Sequence, residues 1–371
     1  MKNILTSTGW AFGTLESGAD GTITGIHAES CDSPVPGQGY ILPGFIDLHV
    51  HGAGGFDFME GEHAADVIAT THARTGTTAF LATTMTAPED KLRGAMAALG
   101  AVENKVRPPQ CARLLGIHLE GPFLNPDKLG AQPRHARPAV LVEIEELLKL
   151  ATVRVVTLAP EIEGHLETIH TLVKRGIRVQ LGHSKGTYEQ GVAAIQCGAS
   201  GFAHLFNAMS SLHHRSPGLV GTALAHAEYA ELIPDLLHVH PAAVRAAFRA
   251  IPKLYCVTDS CSAVGMPEGE YSLGAQRVFL QRCLQGVRLA DGTLAASTLT
   301  MDVALRNLVS LGMPINDASN RVSRYPADFL GLQDRGRLTP GAWADYVVLD
   351  QKLNIEEVWI EGRSIDTGPR N

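Results

Sequence analysis

Residues 43–55 read PGFIDLHVHGAGG, an apolar run that closes on two histidines at alternate positions. In an extended strand, residues i and i+2 point to the same face, so His49 and His51 project side by side. Two imidazoles so placed can grip one metal ion. The chain carries 16 histidines, and most of them must be ordinary surface or core residues. The pair therefore gains meaning only if further ligand-type residues close other strands of the same sheet.

Such strands recur downstream. After GFIDLHVH come TTAFLATTM from Thr77, RLLGIHLEG from Arg113, VRVVTLAP from Val153, IRVQLGHS from Ile177, GFAHLFNA from Gly201, AELIPDLLHV from Ala230 and KLYCVTDS from Lys253, eight in all. Between them lie stretches with helical spacing, such as PAVLVEIEELLKLA and HPAAVRAAFRAI, several opening on Pro, Thr or an acid and closing on Gly. An eighth, TMDVALRNLVSLG, follows an insertion. Eight strand–helix units over about 250 residues are the arithmetic of an α/β fold of the (β/α)8 TIM-barrel type. Residues 43–334 are expected to form that barrel, with 265–297 as an extended hairpin inserted after the eighth strand. Residues 1–42 and 335–371 read as short, Gly-punctuated strands that pair into one small discontinuous β-sandwich domain.

Composition narrows the function classes. The chain has 371 residues, 45% apolar and 19% charged, with a net charge of −7. It contains no basic block, which argues against a nucleic-acid or anionic-membrane surface. The N-terminus lacks an apolar leader core and no apolar run approaches about 18 residues, so a cytoplasmic protein is the expectation. Six cysteines, Cys31, Cys111, Cys197, Cys256, Cys261 and Cys283, show no C-x-x-C spacing and read as reduced thiols.

Barrel enzymes build their sites at the C-terminal ends of the strands. Here strand one ends in His49 and His51, strand three in Glu120, strand five in His183, strand six in His204 and strand eight in Asp259. Five of eight strands thus end in a metal-ligand or acid–base residue, a coincidence that solvated surface residues do not produce. His, Glu and Asp without cysteine suit a divalent first-row ion such as zinc, iron, manganese or cobalt, and ligand type alone does not choose among them; zinc is the first expectation. A Glu and two His from three strands leave coordination positions open for water. Asp259, across the mouth, is placed to exchange protons with that water and a leaving group.

The motifs PGFIDLHVHG, GIHLEGPFLNP, LGHS, AHLFNAM, VTDS and STLTMD, in this order, resemble the N-acetylglucosamine-6-phosphate deacetylases of the amidohydrolase superfamily. The resemblance runs from about residue 40 to the C-terminus. It implies a metal-bearing barrel with a small β-sandwich, a principal metal held by Glu120, His183 and His204, and Asp259 as the catalytic acid–base. Strand four ends in TLAPE, without the bridging lysine of many amidohydrolases, so Glu120 would fill that role. Both histidines of the H-x-H pair are present, leaving one or two ions per subunit open. For an amino-sugar phosphate, the resemblance implies contacts from Ala131, Asn207, Ala208 and, more weakly, Leu294, Ala295 and Ala296. It assigns the phosphate to Arg215, whose guanidinium suits it bidentately, and to His238, which in family homodimers comes from the neighbouring subunit. Gln132 stands where some members carry His. Hydrolysis of the acetamide of N-acetylglucosamine 6-phosphate is the implied activity. The galactosamine epimer and a non-catalytic binding module are the rivals, the second disfavoured by the full ligand set.

Overall fold

The computed structural model describes residues 1–281 and 286–368, so Cys283 lies outside the described residues. The eight expected strands are present as Phe45–Val50, Thr77–Thr83, Arg113–Glu120, Val153–Leu158, Arg178–Leu181, Gly201–Phe202, Tyr229–Leu232 and Lys253–Cys256. The first six lie side by side in chain order as one parallel sheet, and the last two pair in parallel. Two backbone joints close the ring. Leu205 N–H donates to Glu231 O at 2.9 Å, and between strands eight and one Asp259 N–H donates to His49 O at 2.9 Å. The last joint is reinforced inside the barrel, where buried Asp47 accepts from Thr258 Oγ1 at 2.6 Å and from Thr258 N.

Helices follow each strand and pack their apolar faces on it. Helix His165–Lys174 buries Ile169 and Leu172, and Pro241–Ala250 buries Val244 and Ala247. Their starts use ordinary end chemistry: Thr187 and Gln190 form a capping box before Tyr188–Gln196, and Pro241 occupies the first turn behind a His240 cap. The eighth helix is Met301–Ser310. Two further helices, Ile315–Val322 and Arg324–Leu330, close the barrel sequence and were not anticipated from spacing.

Several runs are shorter than their apolar patterns suggested. Strand six stops at Phe202 and strand seven at Leu232, because the residues after them turn into the mouth instead of continuing the ladder. The insertion after strand eight forms a three-stranded antiparallel sheet, Gly269–Leu273, Gln276–Leu280 and Val287–Arg288. Residues from both ends of the chain share one seven-stranded sheet. Its order runs Arg363–Ile365, Ile355–Ile360, Tyr346–Leu349, Tyr40–Pro43, Lys2–Thr6, Gly9–Ser17, Ile23–Ser30. Ile4, Ile23, Ile41, Leu338, Tyr346 and Val348 pack together as part of its own core. Among the described residues no helix is long and apolar enough to cross a membrane, and five cysteines are free.

Candidate metal centre

The ligand-type residues meet at the C-terminal mouth. Glu120 Oε1 lies 3.2 Å from His183 Nε2 and 3.0 Å from His204 Nε2, and those two nitrogens are 3.0 Å apart. Glu120 Oε2 faces the other side, 3.4 Å from His49 Nε2 and 3.3 Å from His51 Nε2. Asp259 Oδ1 completes this second group, 3.2 Å from His51 Nε2 and 3.6 Å from His49 Nε2. Glu120 thus stands between two groups of donors and lends one oxygen to each.

The chain reaches this geometry through unusual backbone. His183, His204 and Asp259 sit just past their strand ends at φ 49°, 26° and 47°, a region that costs a non-glycine residue about 1–2 kcal/mol. Phe206, Ala208 and Ala296 at the same mouth share it. After Glu120 the chain leaves strand three through Gly121 at φ +74°, where a Cβ would lie 2.0 Å from Thr86 Oγ1. Glycine there lets Thr86 pack against the strand end, and Gln132 bridges Thr86 to the ligand. Its amide donates to Glu120 Oε2 at 2.6 Å and its oxygen accepts Thr86 N–H at 2.7 Å.

These donors fit a cation. Nitrogens held tetrahedrally at about 2.0–2.1 Å from one ion stand about 3.3 Å apart, close to the spacings in both groups. The histidines also face inward with their lone pairs. His183 Nδ1–H donates to Lys128 O at 2.8 Å, His51 Nδ1–H to Thr83 O at 3.2 Å and His49 Nδ1–H to Glu231 Oε2 at 2.9 Å, leaving each Nε2 free. Such outer partners orient metal-binding imidazoles. His183 Nε2 and His204 Nε2, 3.0 Å apart, repel unless a proton or a cation lies between them.

Electrostatics agree. Burial disfavours charge on His51, yet the Asp259 and Glu120 carboxylates hold its pKa up at about 9. The same carboxylates raise His49 against its burial. Burial would raise Glu120 and Asp259, but the surrounding imidazoles hold both below the usual carboxylate range. Asp259 is therefore ionised at neutral pH. His118 is the exception: burial, then the His49 charge, push it down to about 3, and its Nε2 bonds Thr157 Oγ1 at 2.7 Å one layer below.

The centre opens into a cavity of about 410 Å³, ample for a monosaccharide. Ala131, Asn207, Ala208, His238, Leu294 and Ala296 line it, joined by Lys128, Gln132, Met85, Leu273 and Thr293. Two expectations change. Ala295 is buried under the inserted sheet with Val278 and Val287 instead of facing the cavity, because alternate residues of an extended segment point to opposite sides. The two cationic candidates are also placed differently from one another. His238 lines the cavity of its own chain, its ring held by Asp235 Oδ2 at 2.6 Å, whereas Arg215 is exposed on an outer loop, bonded to His214 and absent from the lining. Glu161, at the end of strand four, serves the loops, accepting from Ser184 Oγ, Asn125 Nδ2 and Lys185 N. The sequence reading passed over Glu231 and Lys128. Glu231 had one signal available, a carboxylate inside an apolar strand.

Fold and site together define a class: a (β/α)8 barrel with a His/Glu/Asp centre at its C-terminal mouth and an attached β domain. The amidohydrolase family model matches residues 40–365, and the chain belongs to that family. It is 38% identical over 370 residues to the N-acetylgalactosamine-6-phosphate deacetylase of Escherichia coli O157:H7, covering 98% of this chain and 97% of that protein. It is also 38% identical over 367 residues to the N-acetylglucosamine-6-phosphate deacetylase of Vibrio furnissii, covering 95% and 91%. Among solved structures, a variant of the Mycobacterium smegmatis N-acetylglucosamine-6-phosphate deacetylase in complex with N-acetylglucosamine 6-phosphate superimposes with a TM-score of 0.89 at 32% identity, over 98% of this chain and 97% of that one.

Proposed function

We propose that the protein hydrolyses the acetamide of N-acetylglucosamine 6-phosphate to glucosamine 6-phosphate and acetate. The observation that carries this is the Asp259 carboxylate set beside the Glu120, His183 and His204 donors at the floor of one cavity. A divalent ion bound there, zinc as first choice, would supply Lewis-acid chemistry for the amide carbonyl and for water. Glu120, His183 and His204 would hold it, and His49 and His51 with Asp259 a second. Asp259 takes the proton of the attacking water and returns it to the departing nitrogen, since an amine leaves poorly unless protonated. Gln132 keeps Glu120 from rotating away. Asn207, Ala208 and Ala131 line the wall against which the sugar lies.

The phosphate assignment also makes the protein a homodimer. His238 stands in its own cavity, while Arg215 is outside it on the exposed loop that also carries Leu212, 55% accessible; a second copy docked on that loop would receive Arg215 at its phosphate. Free cysteines and a phosphorylated substrate suit the cytoplasm. The galactosamine epimer is retained as a second reading because relatives of equal identity carry each name.

Acetate release measured with both sugar phosphates, on protein whose metal content is determined, tests the reading. Turnover of the glucosamine compound above the galactosamine one is expected; no release from either would overturn it. Arg215→Ala is expected to lower kcat/KM by about 1.5–3 kcal/mol for the phosphorylated sugar, as for a charge-assisted contact, and to leave unphosphorylated N-acetylglucosamine unchanged. Equal losses on both sugars would remove Arg215 from the phosphate.

A further inference from the structure

Beneath the metal centre lies a polar layer that the reaction does not touch. Its central group is Glu231, in the seventh barrel strand and fully buried. Gln180 Nε2 donates to its Oε1 at 2.9 Å and the Tyr255 hydroxyl at 3.4 Å. Its Oε2 accepts His49 Nδ1–H at 2.9 Å and His204 N–H at 3.3 Å. Glu231 therefore grips one residue from each of the two donor groups, from the side away from the cavity.

The contact to His49 has a chemical consequence. A neutral imidazole carries one proton. On the cavity side, His49 Nε2 faces two carboxylates, Glu120 Oε2 at 3.4 Å and Asp259 Oδ1 at 3.6 Å, both of which invite that proton. A proton on Nε2 would block the lone pair that a cation needs. An acceptor at Nδ1 draws the proton to the far side, and a carboxylate there does so more strongly than a carbonyl. His183 and His51 obtain theirs from main-chain carbonyls, Lys128 O and Thr83 O, which any residue supplies. His49 alone among these three relies on a side chain.

We propose that Glu231 is a positioning residue that fixes the Nδ1–H form of His49 and thereby sets how tightly the His49, His51 and Asp259 group holds its cation. The inference rests on the metal-dependent reading above and adds an outer residue on which that affinity depends. Gln180 and Tyr255 keep the carboxylate from turning.

The test uses the full chain, stripped with chelator and titrated with zinc alone. Wild type is expected to take up two equivalents. Glu231→Gln, which keeps the shape and removes the charge, is expected to bind the weaker equivalent about 10–100-fold less tightly and the tighter one as before. In the zinc-loaded protein, proton–nitrogen NMR of labelled histidines is expected to show an exchange-protected His49 Nδ1–H, which Glu231→Gln shifts or exposes. A role confined to packing would not move that signal. Two tight equivalents and an unshifted Nδ1–H in folded Glu231→Gln would overturn the proposal, as would a wild-type His49 bound through Nδ1 or carrying its proton on Nε2. The wild-type spectrum decides the matter alone if the variant does not fold. One equivalent in wild type would overturn the second site while leaving the deacetylase reading intact; no zinc at all would overturn both.

Discussion

Asp259 does its work because of the charges around it. Burial alone would raise its pKa, but in the metal-free chain His49, His51 and His204 outweigh burial and hold it below the usual carboxylate range; in the loaded centre the cation would take over that role and leave a carboxylate able to accept a proton. Asp259→Asn keeps the shape and loses that capacity. A fall in kcat of about 10²–10⁴-fold is expected, with thermal stability and zinc at the Glu120 group retained; steady-state acetate release within a few-fold of wild type would refute the role. The same charges predict how the stripped protein responds to pH. His51 has a folded-state pKa near 9, above its ordinary 6.5, so its protonated form favours folding. That contribution is complete below about pH 6.5 and disappears as pH rises through about 9. Melting temperatures of the stripped protein should fall across this window, and zinc-loaded protein should lack the fall, because His51 is then neutral throughout.

At the level of elements, the decisive joint is the seam between strands eight and one. Asp47 and Thr258 tie the two strands below the mouth, while Asp259 N–H to His49 O and His51 N–H to Ser260 O, each at 2.9 Å, tie them at the rim. The seam holds Asp259 against the two histidines it must face. Thr258→Val deletes the hydroxyl that donates to Asp47 at 2.6 Å and leaves a buried carboxyl oxygen short of a donor. A loss of about 1–3 kcal/mol in urea unfolding is expected, accompanied by a lower kcat with KM little changed, since the sugar contacts lie on other loops. Unfolding equal to wild type would show that the backbone bonds alone close the barrel.

Over the whole molecule, one carboxylate clamps the β domain to the barrel beside the apolar contacts of Val347, Val358 and Ile360 with the barrel core. Glu361, at the turn after Ile355–Ile360, accepts Arg113 Nε and Nη2 at 2.8 and 2.7 Å, Arg107 Nε at 3.1 Å and Arg335 Nη2 at 2.6 Å. Arg113 opens the third barrel strand, so the clamp joins the C-terminal strands to the base of the barrel. Burial works against ionisation, but Arg113 and Arg335 hold Glu361 down at about 2. An acid with a lowered pKa contributes stability above its ordinary value near 4.5, and loses it as pH falls from there towards 2. Glu361→Gln should reduce stability by about 1.5–3 kcal/mol at neutral pH and flatten the acid limb between pH 4.5 and 2, measured by calorimetry. An unchanged acid limb would assign acid unfolding to other carboxylates.

The succession of strands and helices, the alternation that sets His49 beside His51, and the strand-end positions of Glu120, His183, His204 and Asp259 were all legible in the chain, because period-two and helical patterning are local properties and a barrel sends every strand end to one mouth. Local pattern could not show where strands six and seven stop. His204 follows an apolar pair yet leaves the ladder at positive φ, a choice made by the neighbouring loops and the facing donors. Nor could it show that Gln132 reaches Glu120, that Arg215 stands away from its own cavity, or that Ala295 turns inward, since each depends on contacts between segments far apart in the chain. Glu231 marks the boundary most clearly. The sequence determined that a carboxylate lies within an apolar strand, but only the closed barrel, by bringing His49 within 2.9 Å across 182 positions of chain, decided that the charge has a partner, because a buried carboxylate is tolerated only where folding supplies its donors.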